Sequence, residues 1–437
     1  MSFAFSDYAN VINNTETIRV NGRVTQVVGL LIEATGPRNP VGDVCNIMTP
    51  SGPMPCEIVG FRRDSILLMP LINTEGIRQG AEVIPTGTPL TAPAGEELLG
   101  RLLDGLGNPI DGKGELPTSM KRVPLNREPP NPFTRPRILK PIPTGVKVLD
   151  GLLTIGNGQR IGIFAGSGVG KSTLLGMISR SSKADVNVLA LIGERGREVR
   201  EFLEKDLGPE GMKRSIIVVA TSDQPALVRI KAAFTATAIA EYFRDQGKNV
   251  MLMMDSVTRF ALAQREIGLA TGEPPATRGY TPSVFAMLPK LLERAGTSQN
   301  GAITGIYTVL VEGGDMDEPV ADAVRGILDG HLVLSRDLAH QNIYPAIDIL
   351  SSISRLMPEI ADKTHYANAG KLRNIYSTYM KNVDAITLGA YKAGSDPRID
   401  EAIKKQPLVE GFIRQGIKEA VPFETSIAEI AKIAGGK

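Results

Sequence analysis

The stretch Ala165-Gly-Ser-Gly-Val-Gly-Lys-Ser172 follows the apolar run Arg160–Phe164 and leads into Thr173–Ile178, which has a helical pattern. A strand, a glycine-rich loop, a Lys-Ser pair and a helix are the elements of the phosphate-binding loop of nucleotide triphosphatases. Glycines let backbone N–H groups converge on phosphate oxygens, and the start of the helix adds the positive end of its dipole. The first position of the eight-residue pattern is alanine rather than glycine, but the core of the pattern is intact.

This loop predicts a site for ATP and Mg²⁺. Lys171 would reach the β- and γ-phosphates, and Ser172 would hold the metal ion. The alternative is a chance glycine-rich turn, which the surrounding strand and helix disfavour. The residues expected to contact the nucleotide here are Gly166, Ser167, Gly168, Val169, Gly170, Lys171, Ser172 and Thr173.

Composition limits the classes of protein to consider. The 437 residues carry 49 basic and 47 acidic side chains, a net charge of +2, so no overall charge favours nucleic acid. No apolar run approaches the roughly 20 residues that span a bilayer. The N-terminus lacks the basic segment of a secretory signal, so we expect a cytoplasmic protein.

Cysteine and histidine usage gives no metal or disulfide signal. Cys45 and Cys56 lie in a β-rich segment, where buried thiols are expected rather than a structural disulfide. His331, His340 and His365 are scattered, and no Cys/His spacing fits zinc.

The chain divides into five predicted segments. Residues 1–17 form a short stub, in which Phe5, Tyr8 and Ile12 have helical spacing, so the stub is either a frayed terminus or a partner-docking helix. Residues 18–90 contain short β-type runs separated by Gly, Pro and Asn, which predicts a small closed β-barrel.

The remaining segments predict an α/β core followed by helices. Residues 91–148 are rich in Pro and Gly and form an extended connector, and residues 361–437 are helical. Residues 149–360 alternate apolar runs with helical stretches, as in a doubly wound parallel sheet. The predicted strands are Val186–Ile192, Ser215–Ala220, Asn249–Asp255 and Ile303–Leu310, and a predicted helix covers Val228–Tyr242.

Polar residues that follow these strands are candidates for catalysis. Asp255 ends an apolar strand, where ligands bind in such sheets, and would tether Mg²⁺; alternatively it only caps the next helix. Glu194 follows the strand Val186–Ile192 and could polarise the attacking water, while Arg195 could touch the γ-phosphate. The alternative for both is a charged loop with surface salt bridges.

Two residues further along the chain fit less specific roles. Tyr344 could stack on a base, and Arg355 could stabilise charge in the transition state. The alternative, which is all that the sequence periodicity indicates, is that both are ordinary loop residues.

Several long motifs carry a resemblance to a known family. They are Gly193-Glu-Arg-Gly-Arg-Glu198, Gly272-Glu-Pro-Pro-Ala-Thr-Arg-Gly-Tyr-Thr-Pro-Ser-Val-Phe285, Leu288-Pro-Lys-Leu-Leu-Glu-Arg-Ala-Gly296, Ile327-Leu-Asp-Gly-His-Leu-Val-Leu-Ser335 and Tyr344-Pro-Ala-Ile-Asp348. The chain resembles, over nearly its whole length, the ATPases of flagellar and virulence type III export systems. These are similar to the catalytic subunit of rotary ATP synthases. The resemblance implies an N-terminal β-barrel, a RecA-like core and a C-terminal helical domain.

The resemblance also implies roles for particular residues. Lys171 and Ser172 match residues that bind MgATP, and Asp255 matches the carboxylate of the Walker B motif, which lies at the metal site. Glu194 matches the general base, and Arg355 matches an arginine finger that acts on the neighbouring subunit's nucleotide. The other matches are Arg195 and Arg259 to phosphate contacts, Tyr344 to the adenine-stacking aromatic and Phe423 to a second adenine-lining aromatic.

Family members form homohexameric rings, which implies a ring here. The implied partners are a regulator, a central stalk, membrane proteins of the export gate, export substrates and chaperones, with peripheral membrane association. Glu33–Gly36, Leu68–Leu71 and Gly389–Pro397 resemble flagellar members more than virulence members. The short stub departs from many flagellar relatives, in which that region docks the regulator.

Two functions of other classes stay open at this stage. A non-catalytic nucleotide-binding subunit of a rotary motor would lack the base, against which Glu194 argues. A ring-shaped RNA translocase would need an aromatic, basic barrel surface. The barrel segment has few aromatics, of which Phe61 is the clearest, and the net charge is only +2, so both observations argue against it.

Overall fold

The computed structural model describes residues 20–73 and 75–435. The predicted stub of residues 1–17 lies outside them. The chain divides after Leu90 into two compact units.

The first unit is a closed β-barrel of six strands in the order β1-β2-β5-β4-β3-β6, as the turn spacing predicts. Its interior is filled by alternate apolar side chains such as Ile32, Ile58 and Leu68. Cys45 and Cys56 face each other across β3 and β4 as buried free thiols. The strands are β1 Gly22–Val28, β2 Leu31–Thr35, β3 Asp43–Thr49, β4 Gly52–Arg62, β5 Ser65–Pro70 and β6 Glu82–Pro89.

The second unit begins with the segment predicted as a connector. Part of it is regular: β7 Thr91–Ala94 pairs with β9 Lys121–Pro124, and β8 Leu102–Asp104 forms an edge of the central sheet. β8 was not predicted from the sequence, because a strand of three residues, two of them apolar, is too short to show a periodicity. The proline-rich part after β9 has the short 3-10 turn Pro132–Thr134 and an isolated bridge between Pro141 and Gly156, and is otherwise irregular before the first helix.

The central sheet has the order β17-β16-β10-β15-β13-β11-β12-β8. All neighbours along this path are parallel except β17, which runs antiparallel to β16 at one edge; β14 also pairs antiparallel with β15. The strands β11, β12 and β13 are near-continuous apolar runs, as expected for strands buried on both faces. The remaining strands are β10 Arg160–Ala165, β11 Val186–Ile192, β12 Ser215–Ala220, β13 Asn249–Asp255, β14 Gly296–Thr297, β15 Ala302–Leu310, β16 Gly330–Leu334 and β17 Ile347–Ser354.

Helices connect the strands and form the C-terminal part of the unit. Within the described ranges they are α1 Lys147–Leu152, α2 Lys171–Ser181, α3 Gly196–Glu201, α4 Gly208–Lys213, α5 Ala226–Asp245, α6 Val257–Thr271, α7 Pro282–Leu292, α8 Pro319–Ile327, α9 Arg336–His340, α10 Met357–Ile360, α11 Lys363–Thr387, α12 Pro397–Ile413 and α13 Phe423–Ala434. A π-helical turn, Phe202–Leu207, joins α3 to α4. None of the described helices has the length and apolar character needed to cross a membrane.

Candidate active site

The glycine-rich loop lies between β10 and α2 at the carboxyl edge of the parallel sheet. Gly168 and Gly170 adopt φ values of +78° and +91°, in the left-handed region that side chains with a Cβ rarely adopt. These turns bring the chain back so that α2 begins at Lys171. The N-terminal N–H groups of α2 therefore face the loop, where they favour an anion.

A cavity of about 840 Å³ opens at this loop. Most of the residues expected at the nucleotide line it: Gly166, Ser167, Gly168, Gly170, Lys171, Ser172, Thr173, Glu194, Arg195, Asp255 and Arg259. Val169 differs, because its side chain packs into the core with 2% of its surface exposed. Only its backbone is available to a phosphate.

Lys171 lies between two carboxylates in this cavity. Its Nζ is 2.5 Å from Asp255 Oδ1 and 3.5 Å from Glu194 Oε1. The hydroxyl of Thr308 donates to the same Asp255 oxygen at 2.7 Å. Thr308 was missed by sequence analysis, because a threonine inside a buried strand carries no motif. The ends of β10, β11 and β13 thus bring together a cation and two carboxylates.

The electrostatics of this group set its protonation. Burial raises the pKa of Glu194 to about 7; Lys171 opposes the shift, and Asp255 and Glu198 add to it. Burial alone would lower the pKa of Lys171, but the two carboxylates outweigh it and raise that pKa. A carboxylate with a pKa near neutrality can accept a proton and release it again.

Two arginines lie at the rim of the cavity. The side chain of Arg195 is 80% exposed, and its pair with the half-exposed Glu198, at 3.4 Å, is a weak surface contact that a bound phosphate could replace. Arg259 packs its stem against Gly193, where a Cβ would lie 2.8 Å from Arg259 Cβ. Its buried Nε has no hydrogen-bond partner in the described chain, and an unpaired buried donor is one that a bound anion can satisfy.

Tyr344 lies beside the loop, since a Cβ placed on Gly170 would be 3.5 Å from its ring. Tyr344 also lines a second cavity, of about 220 Å³. The backbone N–H of Gln415 donates to the Tyr344 carbonyl at 2.8 Å, so the segment after α12 forms part of this pocket. The other lining residues carry no motif and come together only in the fold, so the sequence did not indicate them: Asn342, Arg414, Gln415, Gly416 and Glu419.

The structure does not bring Phe423 to either cavity. Its ring packs edge-on against His365, with 6.1 Å between the ring centroids. The neighbouring Val421 N–H donates to the Gly145 carbonyl, and Gly145 contacts Ser181 at the end of α2 opposite the loop. Phe423 therefore contributes to packing of the helical region.

Arg355 lies at the opposite edge of the sheet from the loop. β17 runs antiparallel to β16, so its start at Ile347 pairs with Leu334 and its end at Ser354 pairs with Gly330. Leu334 is also the neighbour of Ala165, which begins the loop. The six residues of β10 separate the two edges by about 20 Å at 3.3 Å per residue. The exposed side chain of Arg355 cannot reach the cavity of its own chain.

Comparison with known proteins places these features in one family. Residues 145–354 match the nucleotide-binding domain of the ATP synthase alpha/beta family, and residues 24–87 match its β-barrel domain. Residues 361–432 match the T3SS EscN ATPase C-terminal domain. The chain is 56% identical to the flagellum-specific ATP synthase of Bacillus subtilis, with 98% of each chain covered.

The chain belongs to the family of flagellar and type III secretion ATPases. It is 49% identical to the type 3 secretion system ATPase of Xanthomonas euvesicatoria, covering 94% of this chain and 93% of the relative. The assembled ATPase EscN of the enteropathogenic E. coli type III secretion system superimposes with a TM-score of 0.90 at 47% identity, covering 94% of this chain and 100% of EscN. The fold and the ATPase activity expected from the sequence are thereby confirmed.

Proposed function

We propose that this ATPase hydrolyses MgATP in a homohexameric ring and so energises protein export through the flagellar type III apparatus. The observation that carries the proposal is the placement of Lys171, Glu194 and Asp255 in one cavity with Arg355 at the opposite edge of the same sheet. A chain that holds both halves of an active site on different edges can complete the site only with a neighbour. Such a head-to-tail contact, repeated with a rotation that closes after six subunits, forms the proposed ring.

The binding half uses the loop and the pocket beside it. Backbone N–H groups from Gly166 to Thr173 would hold the phosphates, Lys171 would contact the β- and γ-phosphates, and Tyr344 would stack on the base. Ser172 and Asp255 offer the oxygen ligands that Mg²⁺ prefers. The described residues contain no cluster of three or more metal-binding side chains, which fits an ion that arrives with the phosphates.

The catalytic half of the proposal assigns a proton acceptor. Ser172 and Asp255 would hold Mg²⁺, which would supply positive charge to neutralise the phosphates. Glu194 would orient the attacking water and take its proton, for which its raised pKa suits it. Arg195 and Arg259 would contact the γ-phosphate from the rim. The neighbour's Arg355 would stabilise the charge that develops as the phosphoryl group transfers.

The cellular role is proposed from the resemblance of the chain. Glu33–Gly36 and Gly389–Pro397 favour the flagellar system over a virulence system, and the B. subtilis relative is named flagellum-specific. EscN has been solved in complex with its central stalk EscO, which supports a stalk as partner here. A regulator, export-gate proteins, export substrates and chaperones are proposed as further partners, on the cytoplasmic face of the membrane.

Mixing two inactive chains tests whether the site is shared. Lys171→Ala removes the loop function and keeps Arg355, whereas Arg355→Ala does the reverse. In rings assembled from equal amounts, about one quarter of the sites join an intact loop to an intact neighbouring arginine, if subunits mix at random. We expect each variant alone to be nearly inactive and the mixture to regain measurable turnover.

The control mixes Arg355→Ala with the double variant Lys171→Ala/Arg355→Ala, which supplies no intact arginine and should restore nothing. Loss of an arginine finger costs about 10³- to 10⁵-fold in turnover, so even a small recovery is measurable. If the first mixture stays as inactive as the control while its rings assemble, Arg355 does not act on a neighbour's nucleotide.

A further inference from the structure

The backbone at Arg355 is held by the carbonyl of a half-buried residue. Its N–H donates to the carbonyl of Asp329 at 3.0 Å. The Gln159 side chain donates to the same carbonyl, with Nε2 also at 3.0 Å. The guanidinium itself has a single hydrogen bond within the described residues, from Nη2 to the Arg325 carbonyl at 3.2 Å. The direction of this exposed side chain therefore depends on how firmly its backbone is fixed.

Gln159 also holds the residue before Arg355. Its Nε2 donates to the hydroxyl oxygen of Ser354 at 3.1 Å, and that hydroxyl donates to the Thr154 carbonyl at 2.7 Å. The other end of the Gln159 amide accepts from Gly156 N–H at 2.8 Å. Gln159 is fully buried, and both ends of its amide are engaged, so its orientation is fixed.

The carboxylate of Asp329 anchors the arrangement to the start of β10. Asp329 Oδ2 accepts from the Arg160 backbone N–H at 3.0 Å, and both carboxylate oxygens accept from the Arg160 guanidinium. The Asp329 N–H returns a hydrogen bond to the Arg160 carbonyl at 2.8 Å. The support of Arg355 is thus built on a strand of the central sheet and is more precise than an unsupported loop.

We propose that Gln159, Asp329 and Ser354, here named the finger clamp, are positioning residues that aim Arg355 at the nucleotide of the neighbouring subunit. The proposal rests on the proposed action of Arg355 across the interface. The clamp touches neither the cavity nor the loop, so its loss should impair only the arginine that a chain offers to its neighbour. A displacement of 1 Å at a reacting group can cost about 100-fold in rate.

Ser354→Ala is the mildest test of the finger clamp. The chain offers a matched control in Ser352→Ala, two residues earlier on β17. Both hydroxyls are nearly buried, and each donates to a backbone carbonyl and accepts a hydrogen bond, but Ser352 bonds to Asp348 and Val333 instead of the clamp. We expect kcat to fall roughly 10- to 100-fold in Ser354→Ala and to stay within about two-fold of wild type in Ser352→Ala.

Gln159→Met provides a second variant of similar shape that cannot hydrogen-bond. We expect the same fall in kcat, with the dissociation constant for ATP unchanged in the monomer. Urea unfolding monitors the stability cost of each substitution, so that a fall in kcat can be compared between variants of equal stability.

Mixing experiments separate a positioning role from a general structural one. Ser354→Ala should regain turnover when mixed with Lys171→Ala. In such rings the correctly placed Arg355 of a Lys171→Ala chain can act on the intact phosphate-binding loop of a neighbouring Ser354→Ala chain. It should regain nothing when mixed with Arg355→Ala, because neither chain then offers a well-aimed arginine. If the substitution instead disturbed the whole chain, the phosphate-binding loop of that chain would also be impaired. Mixing with Lys171→Ala would then not restore turnover.

The outcomes distinguish the two proposals. Recovery of Arg355→Ala by Lys171→Ala, without recovery of Ser354→Ala and Gln159→Met, overturns the finger clamp and leaves the shared site intact. Wild-type turnover in both clamp variants overturns it as well. Absence of recovery between Arg355→Ala and Lys171→Ala refutes the shared site itself, and the finger clamp with it.

Discussion

Replacing Glu194 with glutamine should change how stability depends on pH. Burial raises the pKa of Glu194 from 4.5 to about 7 in the folded chain. Between these two values the folded state binds more protons than the unfolded state. The free energy of unfolding contributed by this group therefore falls as pH rises through that window, and the loss is complete above pH 7. Glutamine cannot ionise, so the free energy of unfolding of the variant does not fall with pH for this reason.

The size of the effect follows from the shift. A difference of about 2.5 pKa units corresponds to roughly 3 kcal/mol as an upper limit, at 1.36 kcal/mol per unit. The side chain is 14% exposed, so solvent screening removes little of this. Removing the charge of Glu194 also changes its interactions with the neighbouring Lys171 and Asp255, which reduces the net effect. We therefore expect the variant to gain about 1 to 3 kcal/mol relative to wild type between pH 5 and pH 8.

Urea unfolding of the nucleotide-free monomer measures this difference. The chain contains no tryptophan, so far-UV circular dichroism is the suitable signal. Groups far from Glu194 that titrate in this range are common to both proteins and cancel in the comparison. Glu210→Gln is a matched control, because that side chain is 81% exposed. The difference in unfolding free energy between this variant and wild type should change by less than about 0.5 kcal/mol over the same pH range.

A gap between Glu194→Gln and wild type that stays flat from pH 5 to pH 8 would refute the reasoning. It would mean that Glu194 is not held as a buried carboxylate beside Lys171 and Asp255. The same variant should lose turnover while keeping its affinity for MgATP. Turnover at the wild-type rate would remove Glu194 from the role of base.

Three further predictions concern other parts of the chain. Tyr344→Ala should weaken ATP binding about 5- to 150-fold by calorimetry, because base stacking contributes about 1–3 kcal/mol, while Tyr344→Phe should bind nearly as wild type; equal losses in both would exclude stacking. Burial raises the pKa of Cys45 to about 11 and that of Cys56 to about 12, so both thiols should react with a disulfide reagent only as fast as the barrel opens; rapid labelling without urea would contradict their burial. Arg294→Met should lower the free energy of unfolding by about 3–5 kcal/mol because it leaves the buried Glu241 carboxylate with the more distant Arg127, at 3.6 Å, in place of its 2.7 Å partner, and adding Glu241→Gln should restore much of it; no restoration in the double variant would show that packing dominates.

Much of the central sheet could be predicted from the sequence. The strands at Val186–Ile192, Ser215–Ala220 and Asn249–Asp255 have the bounds expected from their apolar runs. Such runs are informative because a parallel strand buried on both faces has no polar side to interrupt it. The loop before Lys171 was also readable, since its residue types follow directly from phosphate binding.

The direction of β17 could not be predicted. Its sequence contains three serines and alternates poorly, as expected for an edge strand with partly exposed side chains. Only the pairing with β16 shows that it runs antiparallel, so that Tyr344, just before β17, and Arg355, just after it, lie at opposite edges of the sheet. The separation of the two residues, on which the shared site depends, is a property of topology and not of any motif.

The pocket beside Tyr344 was hidden for a related reason. Gln415 and Glu419 lie more than 70 positions further along the chain and come to Tyr344 through the packing of the C-terminal helices. Phe423 was assigned to the base by its family motif alone. Its ring packs on His365 instead, because α13 begins at Phe423 and buries that side of the helix.

The central claim is that one chain holds only part of its active site. The most direct measurement follows turnover per chain and mass in the same samples across a dilution series, with ATP binding measured in parallel. We predict that turnover per chain falls steeply as rings dissociate to monomers, while the monomer still binds ATP. Turnover per chain that stays constant down to concentrations at which only monomers exist would contradict the claim.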